Sequence, residues 1–163
     1  MASERTRILF VCLGNICRSP LAEAIFREET RRRGVEQRFE IDSAGTSGYH
    51  AGCAPDRRSV ETAQGRGVTI SGTSRQITEE DLHRFDLVIA MDADNYGEID
   101  QLKAAADGVA RIHRLREWDS AGDSPDVPDP YYGGPGGFGR VHEIVERCCV
   151  ALLDDLISRR EAA

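Results

Sequence analysis

A chain of 163 residues, about 40 % of them apolar, has room for one domain with a core of its own. A formal net charge of −7 argues against nucleic-acid binding through a general basic field, so any anionic ligand must be drawn in by a local site. The 5 cysteines are irregularly spaced, with no CxxC pair and no Cys/His set at zinc spacing, which excludes a secreted disulfide framework and makes a reducing cytoplasm the expected compartment.

Residues 1–7 carry no signal-peptide pattern, and the apolar run at 8–13 is too short to span a membrane. Its first part, Ile8-Leu9-Phe10-Val11, is continuously apolar, as expected of a central parallel strand. Ser19-Pro20 opens a helix whose apolar face is Leu21, Ala22, Ile25 and Phe26 and which Gly34 ends. A short strand is expected at 39–41 and a helix at 55–64, closed by Gly65 and Gly67. A third helix is expected at 78–84, with Glu79, Glu80 and Asp81 in its first turn. A strand at 85–91, a helix at 95–106 and a strand at 110–115 follow. Residues 119–137 form a long Gly-, Pro- and Asp-rich segment, of a length that is usually functional or disordered. A final helix at 138–157 carries Val141, Ile144, Val145, Cys148, Leu152 and Leu156 on one stripe. Strands alternating with helices predict a single α/β domain over 1–163, a layered fold with a parallel sheet and ligands at the carboxyl ends of its strands.

The loop after the first strand is therefore a favoured place for chemistry. Cys12-Leu13-Gly14-Asn15-Ile16-Cys17-Arg18-Ser19 joins a buried strand to a helix. A loop wrapped round a phosphate aims successive backbone N–H groups inward as an anion nest, and the helix behind it adds its positive end. Gly14 and Asn15 tolerate the left-handed backbone that such curvature requires. Arg18 supplies a planar fork for two phosphate oxygens. The same surroundings favour the thiolate form of Cys12, a nucleophile towards phosphorus. Ser19 is placed to donate a hydrogen bond to that thiolate and to help it leave, and Asn15 to hold the loop in shape. A departing alcohol or phenol also needs a proton. Asp119, Asp123, Asp126 and Asp129 all lie in the long segment. Asp129 is followed by Pro130, which biases it towards extended angles, but on the residues alone Asp-Pro reads more readily as a solvated turn.

Val11-Cys12-Leu13-Gly14-Asn15-Ile16-Cys17-Arg18-Ser19-Pro20 resembles the signature of the low-molecular-weight protein-tyrosine phosphatases. Ser43-Ala44-Gly45-Thr46, Pro55-Asp56-Arg57-Arg58, Ser74-Arg75-Gln76, Met91-Asp92 and Asp129-Pro130-Tyr131-Tyr132-Gly133 resemble further motifs of that family, in order along nearly the whole chain. The resemblance implies a three-layer fold with a four-stranded parallel sheet flanked by helices, and neither metal nor organic cofactor. It implies hydrolysis of phosphotyrosine proteins through a phosphocysteine, with Cys12 as nucleophile, Arg18 as phosphate clamp and Asp129 as general acid and base. Phosphate would then be product and competitive ligand. Ser43 would join Asn15 and Ser19 in a network under the loop. Tyr49, Tyr131 and Tyr132, with Leu13 and Ile16, would wall the substrate cleft, Gly14 and Cys17 completing the loop. Gly72 stands where many relatives carry a His joined to that network.

Single residues bear on the alternative functions. Protein-arginine phosphatases of the same fold typically carry Thr where this chain has Ile16, whose hydrocarbon suits an aromatic ring. Arsenate reduction needs further cysteines downstream, and residues 72–92 have none. A binding module would be expected to have lost Cys12, Arg18 or Asp129. His50, His83, His113 and His142 show no metal-ligand spacing, and Cys148-Cys149 reads as core. Arg31-Arg32-Arg33 reads as a solvated face at a helix end, and Cys53 as structural. Cys12 and Cys17 share one short loop, so Cys17 is expected to act as a redox partner that resolves oxidised Cys12 as a disulfide.

Overall fold

The computed structural model describes residues 5–130 and 136–162, with side chains described as far as residue 159. Strands β1 (Thr6–Cys12), β2 (Phe39–Gly45), β3 (Leu87–Ala90) and β4 (Arg111–Arg114) form one parallel sheet in the order β2-β1-β3-β4. The helices are α1 (Arg18–Arg32), α2 (Arg57–Gln64), the single turn α3 (Asp81–Arg84), α4 (Ala93–Ala106) and α5 (Gly137–Ala162).

The pleat of β1 explains the three layers. Ile8 and Phe10 point to one face and join Leu21 and Phe26 of α1 and Val145 and Leu152 of α5. Leu9 and Val11 point to the other and join Leu82, Phe85 and Ile99. Both faces are covered, which is why the run shows no polar alternation. Phe26 packs between Phe10 and Phe39, with ring centroids 5.7 and 5.5 Å away. Full burial of such a side chain contributes about 1.5–3 kcal/mol. From β1 the chain runs outward to β2 and then returns to β3 on the other side, so the strand order reverses at β1. The loop that leaves β1 sits at the crevice this reversal opens.

Several elements depart from the sequence expectation. β2 runs to Gly45, because its polar second half is held by parallel pairing with β1 from Thr6↔Phe39 to Cys12↔Gly45. α3 shrinks to Asp81–Arg84, since the Asp81 carboxylate turns back to accept the Thr78 N–H and to hold Arg75. α4 starts at Ala93, two residues earlier than expected, because the Asp92 carboxylate caps it by accepting the Asn95 N–H. Pro20 falls at the third helical position instead of the first, still within the turn whose N–H groups have no helical partner. Cys148 and Cys149 are fully buried in the core; burial pushes the Cys148 thiol up to about 12 and the Cys149 thiol well above its ordinary range.

A buried ion cluster ties the long segment to α5. The Asp119 side chain is fully enclosed, with Arg147 Nε 2.8 Å and Arg116 Nη2 2.8 Å from its oxygens. The Arg147 hydrogen bond above all, helped by the Ala121 N–H and Arg116 and opposed by burial, holds the Asp119 carboxyl down at about 2, against 3.8 ordinarily. A carboxyl depressed in the folded state stabilises above its unfolded value and loses that contribution as pH falls through the folded one. Wild type should therefore lose about 1–2 kcal/mol between about pH 4 and pH 2 from this group, after allowance for screening of the part-exposed Arg147. Asp119→Asn should lack that component and be less stable by about 1–2 kcal/mol at pH 7, because Arg116 and Arg147 lose the carboxylate they share while Arg116 keeps Asp123 and Asp126 O. Urea unfolding of both proteins from pH 7 to pH 2 measures this; parallel stability curves would refute the assignment.

Candidate active site

The loop from Cys12 to Ser19 is shaped from outside. Its carbonyls are taken by neighbouring strands and turns: Thr46 N–H donates to Cys12 O at 2.9 Å, Ser47 N–H to Leu13 O at 2.9 Å and Asp56 N–H to Ile16 O at 2.7 Å. In a trans peptide the following N–H points the opposite way, so the N–H groups of Leu13, Gly14 and Cys17 turn to the inner side. Asn15 takes the left-handed turn, with φ +56°, whereas Gly14 does not. Gly14 is needed for space, since a Cβ there would lie 2.9 Å from His50 Cδ2. At Gly45 a Cβ would lie 2.7 Å from Leu13 O, so the end of β2 must be bare for the loop to pass.

At the floor, Cys12 and Arg18 are each 2 % exposed. The Asn15 N–H donates to Cys12 Sγ at 3.2 Å, and Ser19 Oγ lies 3.0 Å from the sulfur. Asn15 Nδ2 donates to Ser19 Oγ at 2.8 Å and to Ser43 Oγ at 3.0 Å, while its Oδ1 accepts the Arg75 N–H at 3.0 Å. Ser19 thus has one lone pair engaged by Asn15, and its single proton is shared between the sulfur and Ala44 O at 3.2 Å. Asn15, Ser19 and Ser43 share one hydrogen-bond network beneath the loop, and Glu23 closes it by accepting from Ser43 Oγ at 2.7 Å. Gly72 takes no part; it is exposed, with φ +93°.

Arg18 is aimed by two groups the sequence reading did not assign. Its Nη1 donates to Asp92 Oδ2 at 2.6 Å and to Val127 O at 3.1 Å. Asp129 Oδ2 lies 3.5 Å from Nη2. Burial works against the guanidinium charge, but Cys12, Asp92 and Asp129 outweigh it and hold its pKa above the ordinary value. The other candidate acids are spent elsewhere. Asp119 and Asp123 bind Arg116, and the Asp126 carboxylate accepts the Ala93 N–H at 3.0 Å. Of the four aspartates of the long segment, Asp129 alone lines the cleft.

The cleft has a volume of about 480 Å³, within the range of small-molecule sites. Leu13, Gly14, Ile16, Cys17, Ser47, Tyr49 and His50 wall it above Cys12 and Arg18. Tyr49 is 87 % exposed and meets His50 edge to face, with centroids 4.8 Å apart. His50, read from the sequence only as lacking metal-ligand spacing, and Ser47, which no sequence motif singled out for the wall, are part of it. Tyr131 and Tyr132 lie outside the described residues. Cys17 lines the cleft but is buried; its thiol is pushed up by burial first, and also by Asp56 and Cys12.

A family model for low molecular weight phosphotyrosine protein phosphatases matches residues 7–162. A low molecular weight protein-tyrosine-phosphatase of Bacillus subtilis, YfkJ, is 41 % identical over 155 residues, spanning 94 % of this chain and 97 % of that protein. Its crystal structure superposes with a TM-score of 0.89 over 98 % of this chain and 99 % of that chain, at 39 % identity. The human low molecular weight phosphotyrosine protein phosphatase is 39 % identical over 159 residues, or 94 % of this chain and 98 % of that one. The crystal structure of a Drosophila arginine phosphatase gives a TM-score of 0.87 at 30 % identity, covering 91 % of this chain and 96 % of that one.

Proposed function

Because the chain belongs to the low molecular weight phosphotyrosine protein phosphatase family, we propose that it hydrolyses phosphotyrosine in proteins with Cys12 as nucleophile, Arg18 as phosphate clamp and Asp129 as general acid and base. The observation that carries this assignment is the meeting of all three side chains in one cleft, at the carboxyl end of the central strand.

The phosphoryl group sits in the loop, with its oxygens on inward N–H groups and on the Nε and Nη2 side of Arg18, since Nη1 is committed to Asp92 and Val127. The Cys12 thiolate attacks phosphorus. The P–O bond to the tyrosine ring breaks, and the phenolic oxygen takes a proton from Asp129. The Asp129 carboxylate then removes a proton from water, whose oxygen attacks phosphorus. The S–P bond breaks and the thiolate returns, held by Ser19 Oγ and the Asn15 N–H. Phosphate is released and competes with substrate. Leu13, Ile16 and Tyr49 form the apolar collar for the ring. The reaction is assigned to the cytoplasm, on a single domain spanning the chain. No described helix is long and apolar enough to cross a membrane.

Ile16 favours the aromatic substrate over phosphoarginine, the alternative raised by the Drosophila neighbour. It is 9 % exposed and offers hydrocarbon to the cleft. Wild type should turn over phosphotyrosine peptides at least about 10-fold faster than matched phosphoarginine peptides, and Ile16→Thr should narrow that ratio. A wild-type preference for phosphoarginine would replace the assignment with the alternative.

Cys17 is assigned the part of resolving thiol. Peroxide converts the Cys12 thiolate to a sulfenic acid, and the Cys17 sulfur displaces hydroxide, released as water, to form a disulfide that dithiols reduce. Both residues border one cleft. After equal peroxide exposure, wild type should regain activity with dithiothreitol and Cys17→Ser much less. Equal recovery, or mapping without a Cys12–Cys17 link, would remove the redox role.

A further inference from the structure

Beside the phosphate cleft lies a second concavity of about 530 Å³, which shares Leu13, Arg18 and Asp129 with it and extends over the first turns of α4. The α4 wall departs three times from what favours a stable helix. Asp94 and Glu98 are exposed, stand one turn apart on one side of the helix, and make no ion pair among the described residues. Like charges at that spacing oppose helix formation, although the helix dipole favours Asp94 in the first turn. Gly97 lies between them in the helix interior, where glycine is poorly tolerated; a Cβ there would meet nothing within 4 Å, so the wall is left open. Asn95 lines the same concavity at 2 % exposure, and its Oδ1 is buried with no hydrogen-bond partner among the described residues. Buried acceptors are nearly always paired. Local rules broken together, with no gain in packing, mark a binding surface.

We propose that this groove receives a lysine or arginine side chain of the protein substrate, within about three residues of the phosphotyrosine, and so selects substrates with a basic residue beside the phosphorylated one. The inference rests on the phosphotyrosine-phosphatase reading. Asp92 is spent on Arg18, and Asp129 is engaged in catalysis, so the free charge of the groove is that of Asp94 and Glu98. Both carboxylates are acceptors. Ammonium and guanidinium groups are all donors. The shared wall at Leu13, Arg18 and Asp129 fixes the occupant as a near neighbour of the phosphorylated residue. A metal ion is the poorer fit, because no group of three His, Cys, Asp or Glu side chains among the described residues is arranged to hold one.

The test uses the full chain and phosphotyrosine peptides in which Lys, Ala or Glu is scanned along both sides of the phosphotyrosine, with p-nitrophenyl phosphate as a substrate too small to reach the groove. At one or more positions Lys should raise kcat/KM about 5- to 10-fold over Ala and Glu should lower it, the difference shrinking at high salt. Asp94→Asn/Glu98→Gln should erase the preference and leave p-nitrophenyl phosphate turnover unchanged. Asp94→Lys/Glu98→Lys should shift it towards Glu. Equal kcat/KM for all peptides, or a Lys preference that survives both variants, overturns the groove alone. Failure to hydrolyse any phosphotyrosine peptide overturns the phosphatase reading and the groove with it.

Discussion

A Cys12→Ser protein should fold, bind inorganic phosphate and turn over aryl phosphates at least about 10⁴-fold more slowly than wild type. The fold should survive because the change is small and the new hydroxyl meets the same partners. Cys12 Sγ accepts from the Asn15 N–H and faces Ser19 Oγ, and an oxygen fills both roles. Phosphate binding should survive because it depends on inward N–H groups and on Arg18, whose orientation is set by Asp92 and Val127 and not by the sulfur. Turnover should not survive. Serine is not ionised at neutral pH, and no described side chain beside it is a base placed to take its proton; its hydroxyl neighbour, Ser19, accepts from Asn15 and is not itself a base. Phosphate affinity by calorimetry and initial rates on p-nitrophenyl phosphate separate the two properties. A variant with near-normal rates would exclude the phosphocysteine, and one that had lost phosphate binding as well would indicate that the sulfur shapes the loop.

The parts of this site legible in the sequence are those built from neighbours in the chain. β1 and the loop that follows it are contiguous, so a continuous apolar run, Gly14-Asn15, Arg18 and Ser19-Pro20 present strand, turn, clamp and helix start in one stretch. The left-handed residue proved to be Asn15, while Gly14 answers to the approach of His50, a contact from 36 residues away that no local signal encodes. The second half of β2 was hidden because Asp42 and Ser43 break the apolar pattern, and pairing with β1 alone keeps them extended. Asp92 was visible as part of a motif, but its double duty on Arg18 and on the cap of α4 needs the fold. Glu23 offered still less. It looks like any polar position of α1 until β2 brings Ser43 to it. Among the four aspartates of the long segment, the choice rested on family resemblance. The structure supplies a physical reason, since three of them are consumed by Arg116 and by the start of α4.

That division of labour sets the second large effect. Asp129→Ala should lower kcat by roughly 10²–10⁴-fold on substrates with a poor leaving group, and far less on those whose phenolate is stable without a proton. Asp129 is the candidate acid that lines the cleft, and its carboxylate, 3.5 Å from Arg18 Nη2, stands beside the group that grips the phosphate. A proton carried there can reach the ester oxygen as the P–O bond breaks. The nucleophilic half of the site is untouched by the change, so Cys12 should still attack. Phosphocysteine should accumulate when a good leaving group lets the first step proceed, because the second step still needs a base for water. The measurement is a series of aryl phosphates graded by the pKa of their phenol, with kcat and the trapped phosphoenzyme read for each. The slope of log kcat against phenol pKa should be shallow in wild type and steep in Asp129→Ala. Equal slopes would move the acid to another group. Asp126 and Asp123 are the next candidates, the one once its carboxylate leaves the Ala93 N–H and the other once it leaves Arg116.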